Sequence, residues 1–539
     1  MINKEYLASL DDEIGKDVYF YHNKINEKID LFTVGCEISE WDGEKIAALL
    51  DPDNLQEEII IFNTCAVTEL AQKASEKVAD RLTKIYPGKK IYFTGCGVNY
   101  DESYYSRLGV TIKNEDKFNA KNYGCKNRES DYYFRLNTHR ETAVVKIQDG
   151  CYNNCAYCII HKIRPHYIVP YEKIKRQIKA LISQGRKSIQ LLGTEICTYN
   201  YNGMRLTQLC EKILNDFKEI ETLTLGALDP ASKEIDSLIE LIKREPRISN
   251  NLYLCTQSCS DTILKKMNRR HDSERLRELS RLCGDKAHLI FQIIVGFPGE
   301  TDELFQETVD LIKELKPIDY DTIPFSARKG TPAYDMPDKV PWETIAKRER
   351  IIYDIIKEYT FKDNYETERS FAVYEKDQID EFVKFKPRKL DDSLVYYTDI
   401  YDNDAFIKLF KSIPETDKEI VVVTDFDINK DLFDLDVNIK MLTTLLGAKV
   451  ITRIKLNKDS MKFLSDTYWG INVFMYRLCS YLEFDFDKDM ECDEKDLINL
   501  FKLSEIYSIE DIDVMTNKLI KSGNLKYLKS ITENFDVAI

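Results

Sequence analysis

The stretch DGCYNNCAYC, Asp149 to Cys158, decides the reading of this chain, because it puts three thiols, Cys151, Cys155 and Cys158, on one short loop. Gaps of three and then two residues let three thiolates converge on one face of a soft metal centre, and iron-sulfur clusters select Cys ligands. Three ligands leave one coordination position open. A closed structural zinc site would need a fourth Cys or His, and His161 is the nearby candidate. Buried, inert thiols on a loop are the plainest alternative.

Working outward, the alternation of strand and helix patterns sets the fold class as α/β. Strand-like runs stand at 143–148, 187–193, 222–228, 251–255, 289–296 and 321–326, with helical patterns between them. Six such units imply a partial (β/α)6 barrel over 140–362, whose working loops follow the strand ends. The three-thiol loop follows the first of these strands. A charged amphipathic helix from Trp342 to Tyr365 is expected to close the barrel.

Upstream, residues 17–125 read as an open parallel α/β sheet domain, with helices near 39–50 and 67–86. Three strands each run into a cysteine, in TVGC at Cys36, FNTC at Cys65 and FTGC at Cys96. The carboxyl ends of parallel strands lie along one edge of the sheet, so these thiols should meet there. Read plainly, they are three small apolar residues at strand ends. Residues 97–140 are polar and read as a connector, with Cys125 a surface bystander open to oxidation.

The chain has 539 residues, enough for several domains. Fourteen Cys spread over this length, behind an opening without an apolar signal core, suggest reduced thiols and a cytoplasmic enzyme. No apolar run approaches the roughly 18 residues of a membrane span. The net charge of −15 argues against a broad nucleic-acid footprint. Residues 401–539 hold 26 Asp and Glu against 18 Lys and Arg, a net of −8, which leaves room for a basic face elsewhere.

The CxxxCxxC spacing with Tyr157 before its last Cys resembles the signature of radical S-adenosylmethionine (SAM) enzymes. The flanks KIQDGC and YCII, within Lys146 to Ile160, resemble the methylthiotransferase branch of that superfamily. The resemblance covers about residues 29 to 362. It implies two [4Fe-4S] clusters, one on Cys151, Cys155 and Cys158 and a second on Cys36, Cys65 and Cys96, each with an open iron. SAM bound at the first is cleaved to a deoxyadenosyl radical, the second delivers sulfur, and another SAM supplies the methyl group. Gly193, Thr194 and Glu195 stand where such enzymes meet the methionyl amino group, and a carboxylate suits an ammonium ion. Asp229 and Gln257 fall in further family stretches at strand ends, and Arg328 and Lys329, in FSARKGTPA, are the expected phosphate contacts.

In the branch whose flank the chain shares, the substrate is tRNA carrying N6-threonylcarbamoyladenosine beside the anticodon, modified at C2, with a flavodoxin or ferredoxin as reductant. Two alternatives remain: methylthio transfer to a protein or peptide side chain, and a non-catalytic iron-sulfur binding protein. The chain departs from the family pattern at Glu37, where Lys is common, at Gln292, where Asp is common, and at Cys259 in a Gly position. Family members usually end in a small RNA-gripping β-barrel, the TRAM domain. Residues 363–427, with RSFAVYEK, SLVYYTDIYD and EIVVVTDF, are read as a degenerate TRAM-like β-barrel, although no motif marks it. Residues 428–539 are read as a helical acidic carboxyl-terminal extension.

Overall fold

The computed structural model describes residues 19–126 and 142–355, apart from a few single positions, and parts of 394–486. Residues 16–365 form one compact unit, and residues 366–539 with the first fifteen form another.

The first unit opens with a five-stranded sheet in simple sequential order: β1 (Tyr19–Asn26), β2 (Ile29–Gly35), β3 (Ile59–Thr64), β4 (Lys90–Gly95) and β5 (Val110–Thr111). Strands β2 to β5 pair in parallel. β3 is buried along its whole length, as a parallel strand covered on both faces must be. The expected all-parallel sheet needs one correction: β1 runs antiparallel to β2. Two residues separate them, too few for the crossover that parallel pairing demands.

Helix α1 (Glu37–Leu49) follows β2, and α2 (Glu69–Ile85) joins β3 to β4. The hydroxyl of Thr68 caps α2 by accepting from the backbone N–H of Ala71. One stripe, Leu70, Ala74, Val78, Leu82 and Ile85, is buried at helical spacing.

The expected connector at 97–140 is folded as far as residue 126. It contributes two short helices, β5 and a 3-10 turn at Ala120–Tyr123. Cys125 is accordingly not a surface bystander. It is buried in the core of the sheet domain, and its thiol donates to the carbonyl of Asp51 at 2.8 Å. Residues 127–141 lie outside the described residues.

Six parallel strands then form the partial barrel: Ala143–Lys146, Ser188–Leu192, Thr222–Leu225, Asn251–Gln257, His288–Val295 and Asp319–Pro324. The first three and the last three make two sheets. Parallel bridges Leu223 to Ile248 and Leu228 to Leu254 join them into one arc. Along Asn251–Gln257, buried Leu252, Leu254 and Thr256 alternate with half-buried Tyr253 and Cys255, so one face packs on helices and the other lines the lumen. The closing helix is described at most positions from 344 to 355. Its Ile345, Ile352 and Ile355 join the barrel core, and buried Arg348 pairs with Glu300 at 2.9 Å.

In the second unit the runs SLVYYTDIYD and EIVVVTDF do form strands, Leu394–Tyr397 and Ile420–Phe426. They pair in parallel with each other, and the sheet continues through Lys449–Leu456 and Tyr481–Phe486. Parallel neighbours need crossover connections, here a helix at Asn403–Ser412. The expected β-barrel therefore gives way to an α/β sheet, which extends two strands into the region expected to be helical. RSFAVYEK and residues 487–539 lie outside the described residues. Among the described residues no helix is long and apolar enough to cross a membrane.

Candidate functional site

The three-thiol loop is built by the turn that ends the first barrel strand. Gly150 has φ +66°, and a Cβ there would stand 2.6 Å from the backbone nitrogen of His166, so only glycine lets the loop turn before Cys151. Burial first, and the neighbouring thiols with it, push the thiols of Cys151 and Cys158 up, to about 11 and about 12. A bound metal favours their ionised form. Arg269 supplies one positive partner: its Nη1 donates to Cys155 Sγ at 3.4 Å, and its Nη2 to Asp229 at 2.8 Å.

Around this loop the strand-end residues converge. The backbone N–H of Glu195 donates to Gln148 at 2.8 Å, and the Thr194 hydroxyl donates to Asp149 at 3.0 Å. Gly193 fits against Gln148, where a Cβ would meet the carbonyl oxygen at 2.7 Å. Asn153, inside the cysteine loop, donates to Glu195 at 3.3 Å and to Asp229 at 3.2 Å. Burial, then the nearby Asp229 carboxylate, push Glu195 up to about 7. Burial opposes ionisation of Asp229 as well, but the Arg269 guanidinium and the hydrogen bond from Arg270 hold its carboxyl below the usual range.

Gln257 reaches across the lumen face to Gln292 at 3.0 Å. Tyr157 is packed beside Ala156, Ile263, Met267 and Phe297. Cys255 faces the same space, close to Arg269, Glu195 and Asp229, and burial pushes its thiol up to about 12.

The second set also comes together. Cys36, Cys65 and Cys96 follow β2, β3 and β4; burial raises the Cys36 and Cys65 thiols, and the nearby Cys96 adds to both. Gly95, at φ +97°, turns the chain ahead of Cys96, and a Cβ would meet the Thr64 carbonyl oxygen at 2.4 Å. Gly95→Ala should therefore destabilise the fold by about 1–3 kcal/mol, the usual cost of a strained backbone position. Denaturant unfolding would check this, and an unchanged midpoint would mean that the turn adapts.

One thiol of the second set reaches the first: Cys96 packs with Ala66, Ile159, Ile160 and Ile163 in a small apolar cluster that Cys151 and Cys158 border. Among the described residues no three Cys, His, Asp or Glu side chains converge as ligands of a single metal ion. A closed structural zinc site would need a fourth Cys or His beside each set. A larger iron-sulfur cage suits two open three-thiol sets better.

Two expected phosphate contacts separate. Lys329 is exposed, whereas Arg328 is buried, donates to Gln72 at 2.7 Å and lies 4.5 Å over the Tyr100 ring. Its long side chain reaches back into the sheet domain, so Arg328 joins the two domains and does not face solvent. Asn153 carries no short-range sequence signal of its role, and Arg269 is marked only by its pairing with Arg270 in NRRHD.

Residues 145–312 match the Radical SAM superfamily, and residues 28–111 match Uncharacterized protein family UPF0004. A barrel with a three-thiol loop after its first strand thus places the chain among radical SAM proteins. A threonylcarbamoyladenosine tRNA methylthiotransferase of Rickettsia prowazekii is 30% identical over 349 residues, 61% of this chain and 82% of that one. A tRNA-2-methylthio-N(6)-dimethylallyladenosine synthase of Clostridium botulinum is 30% identical over 377 residues, 62% of this chain and 82% of that one. A Chlamydia pneumoniae protein named like the first is 27% identical over 348 residues, 61% and 81% of the two chains. The chain belongs to the radical SAM methylthiotransferase family, whose members use SAM and a [4Fe-4S] cluster, and it is an enzyme of that class.

Proposed function

We propose that the enzyme transfers a methylthio group to C2 of N6-threonylcarbamoyladenosine beside the anticodon of tRNA, with a second [4Fe-4S] cluster on Cys36, Cys65 and Cys96. The observation that supports this reading is that Cys96 of the second set packs in the same small apolar cluster that Cys151 and Cys158 of the first set border. When bound, the barrel cluster and SAM supply a carbon-centred radical, and the second site supplies sulfur. In this reading a flavodoxin or ferredoxin supplies electrons.

The chain's own residues orient and enclose the reagents. Glu195, steered by Gln148 and Asn153, presents a carboxylate to the SAM ammonium group. Asp229 is held in place by Arg269 and Arg270. Tyr157 and its apolar neighbours keep water from the thiol loop. Binding an ammonium ion favours ionised Glu195. Since that carboxyl titrates near about 7, SAM affinity should weaken as pH falls below that value, and Glu195→Gln should bind weakly with a flatter profile. Calorimetric titration across this range checks it; equal slopes in both proteins would remove Glu195 from the SAM site.

The mouth carries features suited to RNA despite the acidic total. Lys162 donates to the carbonyl of Gly330, which sets two exposed cations, Lys162 and Lys329, side by side. Arg270 is 63% exposed. Tyr152 is 77% exposed and stacks on His166 with centroids 3.9 Å apart, leaving one ring face open to a base. The KIQDGC flank favours the threonylcarbamoyl substrate over the dimethylallyl one.

The test is anaerobic reconstitution, then incubation with SAM, dithionite and tRNA carrying either adenosine derivative, with nucleosides read by mass spectrometry. A 2-methylthio product from the threonylcarbamoyl tRNA alone is expected. Product only from the dimethylallyl tRNA would move the substrate, and deoxyadenosine with neither product would favour a protein or peptide substrate.

A further inference from the structure

Between the sheet domain and the barrel lies a buried set of charges that the radical chemistry does not use. Lys146 donates to Asp42 at 2.6 Å and also to Asp149. Lys117 donates to Asp42 at 2.7 Å and to Asn114 at 2.9 Å. The Arg164 guanidinium completes it, with Nε to Asp149 Oδ1 at 2.7 Å, and Nη2 to Asp149 Oδ2 at 2.8 Å and Asp42 Oδ2 at 2.6 Å. Its remaining nitrogen, Nη1, donates to Cys96 Sγ at 3.2 Å. Asn114 stands on the same sulfur, at 3.9 Å, while donating to the Ile163 carbonyl at 2.7 Å.

Two physical points follow. Three cations, Lys117, Lys146 and Arg164, face two carboxylates, Asp42 and Asp149, so one positive charge is left over, and Arg164 brings it to Cys96. The same guanidinium is clamped by Asp149, two residues ahead of Cys151. One planar fork thus touches the carboxylate that begins one cysteine loop and a sulfur of the other set.

We infer that Arg164 is the positioning residue that fixes the second cluster against the barrel loop and raises its reduction potential by donating a hydrogen bond to the Cys96 sulfur. This rests on the two-cluster reading proposed above. Hydrogen bonds to cluster sulfurs and nearby charge are what tune such potentials, and a donor with net positive surroundings stabilises the more negative, reduced state.

The experiment uses the full chain with Cys151, Cys155 and Cys158 replaced by Ala, so that only the amino-terminal set can hold iron. After reconstitution, the potential is read by dye-mediated titration with electron paramagnetic resonance, for Arg164 itself, Arg164→Lys and Arg164→Met. A shift to more negative potential is expected for Arg164→Met, with a smaller shift for Arg164→Lys, which keeps charge and loses the fork. Loss of iron from this set alone, with the barrel cluster retained when Arg164→Met is placed in the native chain, also supports the assignment. Identical potentials in all three proteins would overturn it, as would loss of both clusters together in the native background, the mark of a merely structural role. Absence of iron from the parent with Arg164 intact would remove the two-cluster reading itself, an outcome separate from the others.

Discussion

Cys158→Ala should lower deoxyadenosine formation to background, while Cys65→Ala should leave it intact and abolish the methylthio product. Cys158 is held in the loop by its backbone N–H, which donates to the Cys155 carbonyl at 3.1 Å, and a bound metal would favour ionisation of its half-buried thiol. Cys65 follows the end of β3, and its backbone N–H donates to the Ser75 hydroxyl at 2.9 Å. Each variant should keep about four of about eight irons per chain, because two three-thiol sets imply two four-iron clusters. Iron and sulfide counts with chromatography of both products read the split. Methylthio product from Cys65→Ala at the parental rate would refute a sulfur-delivering role for that set.

Lys146→Met carries the second large effect, this time on stability. Lys146 is fully buried between Asp42 and Asp149, and both carboxylates depend on it and on Arg164 and Lys117 for compensation. Burial opposes ionisation of each carboxyl, and these cations hold both well below the usual carboxylate range. Removing one partner of a buried ionic set typically costs about 3–5 kcal/mol, because the survivors cannot be resolvated. Carboxyls with lowered folded pKa contribute stability above their unfolded values that is lost as pH falls through the folded ones. The deficit of Lys146→Met should therefore be present at neutral pH and narrow in acid. Denaturant unfolding at several pH values measures it; a deficit below about 1 kcal/mol, the scale of an exposed pair, would contradict the burial of this network.

What the sequence made legible was mostly periodic. Strand-to-cysteine junctions at Cys36, Cys65 and Cys96 were readable because parallel strands put their ends on one edge, and all three follow neighbouring parallel strands. Glu195, Asp229 and Gln257 were readable as strand-end residues. Arg328 was misplaced because a charged residue in a Lys-Gly turn looks solvated, and nothing local reveals that Tyr100 and Gln72 receive it. The charge network was illegible for a related reason: Asp42, Lys117, Lys146 and Arg164 come from three separate parts of the chain, and pairing at such separation leaves no short-range pattern. In the second unit the continuous run IVVVTDF suits a strand buried on both faces. The helical reading farther on had only short apolar runs to work with, where strand and helix are hard to tell apart.

The buried network also sets rules for recombination. Asp42 and Lys117 belong to the sheet domain, and Lys146, Asp149 and Arg164 to the barrel, yet Asp42 is paired by cations from both. A chimera that crosses over between residues 127 and 141 would inherit half of this lock from each parent. Substrate range is therefore best exchanged with family relatives at the exposed mouth, around Tyr152, Lys162 and Lys329, where no such matching is required.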